Sequence, residues 1–163
     1  MQLYFLTPPR PGLTDADFDF DRDPSAIAQT AAINDAVSTF MTSFVARGGR
    51  LLIYQGMSDP VFSADDIIRY YRELTRDDGP PQAWARLFLV PGMNHCGGGP
   101  ATDDFDSLTA IQQWTEHGVA PDRIVARGRS FPGVTRPLCP YPKYAHYVGG
   151  DKNSAASFEC KEP

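Results

Sequence analysis

Two segments of the chain carry side chains that can move a proton together. Gln55-Gly56-Met57-Ser58-Asp59-Pro60 supplies a carboxylate, Asp59, and Pro91-Gly92-Met93-Asn94-His95-Cys96 supplies an imidazole, His95. An imidazole can take the proton of a nucleophilic hydroxyl and return it to a leaving alcohol. A carboxylate beside it fixes the ring's tautomer and stabilises its charged form. The pair would be two thirds of a hydrolytic triad, with the nucleophile as the missing third. The alternative is that Asp59 merely opens an Asp-Pro turn and His95 merely occupies a glycine-rich loop.

The surrounding residues predict what must position this pair. Arg50-Leu51-Leu52-Ile53-Tyr54 is a short apolar run bounded by Gly48-Gly49 and Gly56, and Arg86-Leu87-Phe88-Leu89-Val90 repeats it up to Pro91-Gly92. Both suit strands buried on two faces. Between them Ser63 can cap a helix whose first turn holds Asp65 and Asp66, with Ile67, Ile68, Tyr71 and Leu74 following at helical spacing. Strand, helix, strand implies an α/β fold with a parallel pair and a right-handed crossover. In such sheets the chemistry lies beyond the carboxyl ends of the strands, where Asp59 and His95 both fall.

The remaining residues mostly set bounds. At 163 residues and 42% hydrophobic the chain can form a core, and no apolar stretch approaches a bilayer span. A net charge of −5 without a basic cluster argues against nucleic acid. The run Asp15-Ala16-Asp17-Phe18-Asp19-Phe20-Asp21-Arg22-Asp23 lacks the glycine and distal glutamate of a calcium loop, so no metal is assigned and a solvated loop with Phe18 and Phe20 packed inward is expected. Residues 1–11 carry no basic leader or small-residue cleavage site and do not read as a signal peptide. From Pro24 to about Ala46 the apolar spacing suggests helix ended by Gly48-Gly49, with Phe40 and Phe44 on the sheet.

Gly97-Gly98-Gly99 lacks the lysine and Ser/Thr of a phosphate loop. Asp103 to His117 reads as an amphipathic helix with Phe105, Leu108, Ile111 and Trp114 on its buried face, and His117 and His146 fall where surface placement is the default. Cys139 and Cys160 bracket a proline- and tyrosine-rich tail without a clear period. A disulfide there would contribute about 3 kcal/mol on a chain-entropy model. The rival zinc reading lacks a Cys-x-x-Cys pair or a second nearby histidine, and Cys96 is left without a partner in the chain.

Several long motifs in one order carry a resemblance. Gly48 to Pro60, Pro91 to Pro100, Trp114, Gly118, Ala120-Pro121 and Arg136-Pro137-Leu138-Cys139-Pro140-Tyr141-Pro142 resemble the carboxyl-terminal part of the tannase and feruloyl esterase family, serine esterases of the α/β-hydrolase fold. The resemblance covers nearly the whole chain. It implies that residues 1–163 are the carboxyl-terminal portion of a catalytic domain, with Asp59 as the triad acid and His95 as the base. It further implies that Phe62 lines the substrate pocket, packing against the next helix being the competing reading. Cys139 and Cys160 would form the family's terminal disulfide. Cys96 would pair with a cysteine outside this chain, next to the nucleophilic serine.

The chain also departs from the family. It has no Gly-x-Ser-x-Gly element and no Cys-Ser pair, and Ser130 follows the histidine, out of order for the fold. The lid domain, which in the family binds calcium, is absent as well. No cofactor is expected in the chain itself. The expected partners are an aromatic ester, hydroxycinnamoyl, galloyl or related, and the missing amino-terminal part of the same domain, with no membrane or nucleic acid. By itself the chain is expected to be inactive, and the complete protein to be secreted or periplasmic. The alternative function class is a non-catalytic truncated α/β domain that acts as a binding or interaction module; retention of acid and base in register favours the enzyme.

Overall fold

In the computed structural model, which describes residues 5–74 and 78–163, Leu51–Gly56 (β1) and Ala85–Val90 (β2) form a parallel pair in the register Leu51↔Ala85 to Gly56↔Val90. Residues 1–4 of the segment read above as unlike a signal peptide lie outside the described residues. The chain divides into two units, Met1–Ser38 and Thr39–Pro163.

In the larger unit, alternate residues of β2 feed two separate clusters, as the two-residue period of a strand requires. Ala85 and Leu87 pack with Tyr71, Leu74 and Trp84, joined by Leu51, Ile53, Ile67 and Ile68. Phe88 and Val90 point the other way, into Met93, Ala101, Ile124, Ala126 and Leu138. Between the strands Ala64–Glu73 forms a helix (α3, after the two shorter helices given below), and Ser63 Oγ caps it by accepting from the Asp65 amide at 3.2 Å. Its apolar stripe supplies the first cluster. Ser107–His117 (α4) is capped by Asp106, which accepts from the Thr109 amide at 2.8 Å, and ends on Gly118 in the left-handed conformation.

The α4 face differs from the expected one. The helix begins four residues later than Asp103, and Leu108 is 76% exposed while Trp114 is buried. Six residues at about 100° each place Leu108 about 120° away from Trp114 around the helix. Ala110, four residues before Trp114, takes the inward place against the second cluster.

Past α4, Ile124–Ala126 (β3) pairs antiparallel with Arg136–Leu138 (β4), and Tyr144–Tyr147 (β5) pairs antiparallel with Phe158–Lys161 (β6). The tail thus contains strands where its sequence shows no clear period, because each run is only three or four residues long. The Cys139–Cys160 disulfide, across 21 residues, ties the end of β4 to β6. Pro140 bridges to Phe88, and the Tyr141 amide donates to the Leu87 carbonyl at 2.7 Å, so the tail flanks β2 on the side away from β1.

The continuous helix expected over residues 24–46 is not formed. The segment holds a 3₁₀ turn at Asp23–Ile27, a helix at Ala28–Asn34 (α1) and a second at Thr42–Ala46 (α2). α1 stops where Asn34 and Asp35 meet, and Asp35 is extended. Their short polar side chains compete for local backbone groups and favour helix ends. The glycine stop is present: Gly49 donates to the Phe44 carbonyl and Gly48, with φ 77°, to that of Val45. Phe44 reaches the Trp84 ring, but Phe40 is 69% exposed rather than packed on the sheet.

In the smaller unit Phe20 is 83% exposed and meets Phe18 edge to face at 5.1 Å, so it does not pack inward. The inward residue of the acidic run is Asp23. Its side chain is 0% exposed and accepts from Arg22 Nε at 3.0 Å, Arg10 Nη1 at 3.0 Å and the Asp19 amide at 2.9 Å. Two guanidinium groups explain how a carboxylate can be buried here.

Candidate active site

β1 and β2 end side by side, and each continues into a loop at the same edge. The Met57 amide donates to the Val90 carbonyl and the Ser58 amide to the Met93 carbonyl, both at 3.0 Å, which stitches the two loops together. Gly56 allows this approach. A Cβ there would run into the carbonyl oxygens of Met93 and Asn94.

This stitching delivers Asp59 to His95. Asp59 Oδ2 lies 2.7 Å from His95 Nδ1. A carboxylate oxygen only accepts, so Nδ1 carries the proton and the neutral ring keeps its lone pair on Nε2. The Asp59 side chain is 0% exposed, whereas that of His95 is 51% exposed. One end of the dyad is sealed and the other is open.

Both carboxylate oxygens are used. Oδ1 accepts the amides of Val61 at 2.8 Å and Phe62 at 3.1 Å, and Oδ2 also accepts Gln55 Nε2 at 2.8 Å. The Asp-Pro turn and the contact with histidine are therefore not rival readings: one oxygen makes the turn and the other holds the imidazole. Burial opposes ionisation of Asp59. The hydrogen bonds from His95, the two amides and Gln55 outweigh it and hold the carboxyl well below the usual carboxylate range.

The histidine loop is braced from behind. Asn94 donates its amide to the Gly98 carbonyl at 3.2 Å, the Gly98 amide donates to Asp103 Oδ2, and Ser130 Oγ donates to the Gly99 carbonyl at 2.8 Å. Gly99, at φ 81°, packs against the Gly92 carbonyl where no side chain would fit. Ser130 is thus a loop brace. Phe62 is 58% exposed, and its ring centroid lies 5.2 Å from that of His95, so it borders the imidazole rather than packing under the next helix. Cys139 and Cys160 are bonded to each other, and Cys96 is a free, exposed thiol. His117 is exposed, and His146 faces the Tyr144 hydroxyl at 3.4 Å.

The sequence named Gln55 only within the acid motif, Asp103 only as a helix start and Ser130 only as a serine out of order, and assigned none of them a supporting contact at the site. The available signal for Gln55 was a polar side chain directly following an apolar strand run, four residues before the acid.

The family model for tannase and feruloyl esterase matches residues 11–161. The chain belongs to that family. It is 46% identical, over an alignment 180 positions long, to mono(2-hydroxyethyl) terephthalate hydrolase of Piscinibacter sakaiensis, covering 98% of this chain and 30% of that protein. A probable feruloyl esterase of Arthroderma benhamiae is 37% identical over 122 residues, covering 69% of this chain and 23% of that one. Among solved structures, feruloyl esterase B from Aspergillus oryzae superposes with a TM-score of 0.76 at 26% identity, covering 94% of this chain and 35% of that one. This tannase and feruloyl esterase family chain therefore spans about a third or less of the length of these relatives. Among the described residues no helix is long and apolar enough to cross a membrane.

Proposed function

We propose that the complete protein is a serine-type carboxylic ester hydrolase of the α/β-hydrolase fold acting on aromatic esters, and that this chain supplies its acid, Asp59, and its base, His95. The 2.7 Å contact between Asp59 Oδ2 and His95 Nδ1, on neighbouring loops beyond two parallel strands, carries the reading. The similarity to a terephthalate monoester hydrolase and to feruloyl esterases supports the substrate class.

The hydrogen bonds around Asp59 support a division of labour between the two residues. Asp59 is clamped by four donors and stays ionised, so it holds the imidazole with its Nε2 lone pair facing outward. His95 then takes the proton of a serine hydroxyl as that oxygen attacks the ester carbonyl, and returns it to the departing alcohol. In the second half it takes a proton from water as the water oxygen attacks the acyl carbonyl, and gives it to the serine oxygen as that oxygen departs and the carboxylic acid is released. These transfers require no cofactor of this chain's residues. The serine, its oxyanion donors and the lid would come from the rest of the protein, which is why this chain by itself is expected to be inactive.

Phe62 would form a wall of the acyl pocket next to the base, where an aromatic ring can stack. Cys96 would bond a cysteine beside the serine and so tie the nucleophile to the histidine loop. Together with the Cys139–Cys160 bond, this suits an oxidising compartment, secreted or periplasmic.

The test is hydrolysis of mono(2-hydroxyethyl) terephthalate, methyl ferulate and methyl gallate by the complete protein and its His95→Ala variant. The variant should lose about 10³-fold or more in kcat. Undiminished hydrolysis by the variant refutes the assignment, and the preferred ester of the three identifies the acyl group.

A further inference from the structure

Gln55 is the penultimate residue of β1, with its carboxamide on the oxygen that also binds His95. Its Nε2 lies 2.8 Å from Asp59 Oδ2, within 3.5 Å of the Phe62 carbonyl and 3.4 Å from the Gly56 carbonyl. It therefore touches the acid, the strand end behind the acid and the residue bordering the imidazole. From these contacts we infer that Gln55 is a positioning residue of the reaction. It fixes the Asp59 carboxylate so that Oδ2 faces His95 Nδ1, and it withdraws part of that oxygen's charge.

The two amides that hold Oδ1 make no contact with Oδ2, the oxygen that meets the imidazole. Only Gln55 and His95 restrain Oδ2 among the described contacts. His95 cannot serve as both the restraint and the thing restrained, since its side chain is half exposed. Gln55 is rooted in a strand, a firmer base than a loop. A hydrocarbon at this position would leave Oδ2 with a single movable donor. A carboxylate would set a second negative charge against it.

This inference rests on the esterase reading above, and the experiment separates the two. In the complete protein, with whichever ester the panel selects, kcat and KM are measured for wild type, His95→Ala, Gln55→Leu and Gln55→Glu. Gln55→Leu should lower kcat roughly ten- to a hundredfold, the worth of a hydrogen bond to a charged group, with KM nearly unchanged. Gln55→Glu keeps the size of the side chain and adds a titratable group. Its kcat relative to wild type should be lowest near neutral pH and should climb as the pH falls toward about 5, because a protonated carboxyl can donate to Oδ2.

A merely structural role for Gln55 would not give that pH-dependent recovery. Wild-type kcat in folded Gln55→Leu, or a flat ratio for Gln55→Glu across this range, overturns the positioning role. If Gln55→Leu does not fold, the isosteric Gln55→Glu variant decides alone. If His95→Ala remains active, the esterase reading falls and this inference with it; if His95→Ala is dead while both Gln55 variants are normal, only this inference falls.

Discussion

Asp23 and Asp59 are both carboxylates with wholly buried side chains, and both are held well below the usual carboxylate range, yet their surroundings suit them to opposite tasks. Asp23 is lowered first by Arg22, then by the Asp19 amide and by Arg10. Guanidinium groups stay charged at any pH the fold survives, so that cluster has one electrostatic state. Asp59 is bound by uncharged donors and by the imidazole that serves as proton acceptor in the proposed reaction. A buried carboxylate locked to fixed cations is a fastener. One left with a titratable partner can support a proton moving back and forth.

The contrast can be broken most directly with paired substitutions. Asp59→Asn in the complete protein should reduce ester turnover about 10³- to 10⁴-fold, because an amide no longer enforces the imidazole tautomer. Steady-state hydrolysis checks this, and a change of less than tenfold would remove the distinction. Asp23→Asn should do the reverse: kcat within about twofold of wild type, and a lower thermal midpoint because two arginines lose their shared anion. Calorimetry on the same preparation provides the comparison.

Acid titration is the gentlest probe. Both groups ionise more readily folded than unfolded, so each contributes stability above its unfolded value of about 3.9. That contribution is lost as the pH falls below this value toward the depressed folded one. The thermal midpoint should therefore decline steeply below about pH 4. The decline should be shallower in Asp23→Asn, which no longer carries one of the two groups. Equal slopes would show that Asp23 is not the fastener its contacts describe.

Local chemistry made much of this chain legible. Ser63 with Asp65 and Asp66 announces α3, Gly48-Gly49 announces the stop of α2, and the apolar runs at Leu51 and Leu87 announce the parallel pair, since each signal lies within a few residues of what it specifies. Leu108 and the 24–46 stretch misled because apolar spacing does not state where a helix begins or breaks. β5 and β6 were hidden because such short strands are stabilised by each other and by Cys139–Cys160 rather than by their own pattern. At the site, Asp59 and His95 stood out by type and spacing, whereas Gln55 did not: a glutamine has no chemistry of its own and acquires a role only from the carboxylate it meets.

The order of residues alone determined which groups could exchange a proton and which strand each would follow, because those facts depend on side-chain type and on neighbours a few positions away. Only the folded arrangement decided that one oxygen of Asp59 would make the turn while the other held His95, that Gln55 would share that second oxygen, and that the tail would flank β2. Those outcomes depend on directions and distances between segments far apart in the chain, which packing sets and no local pattern encodes.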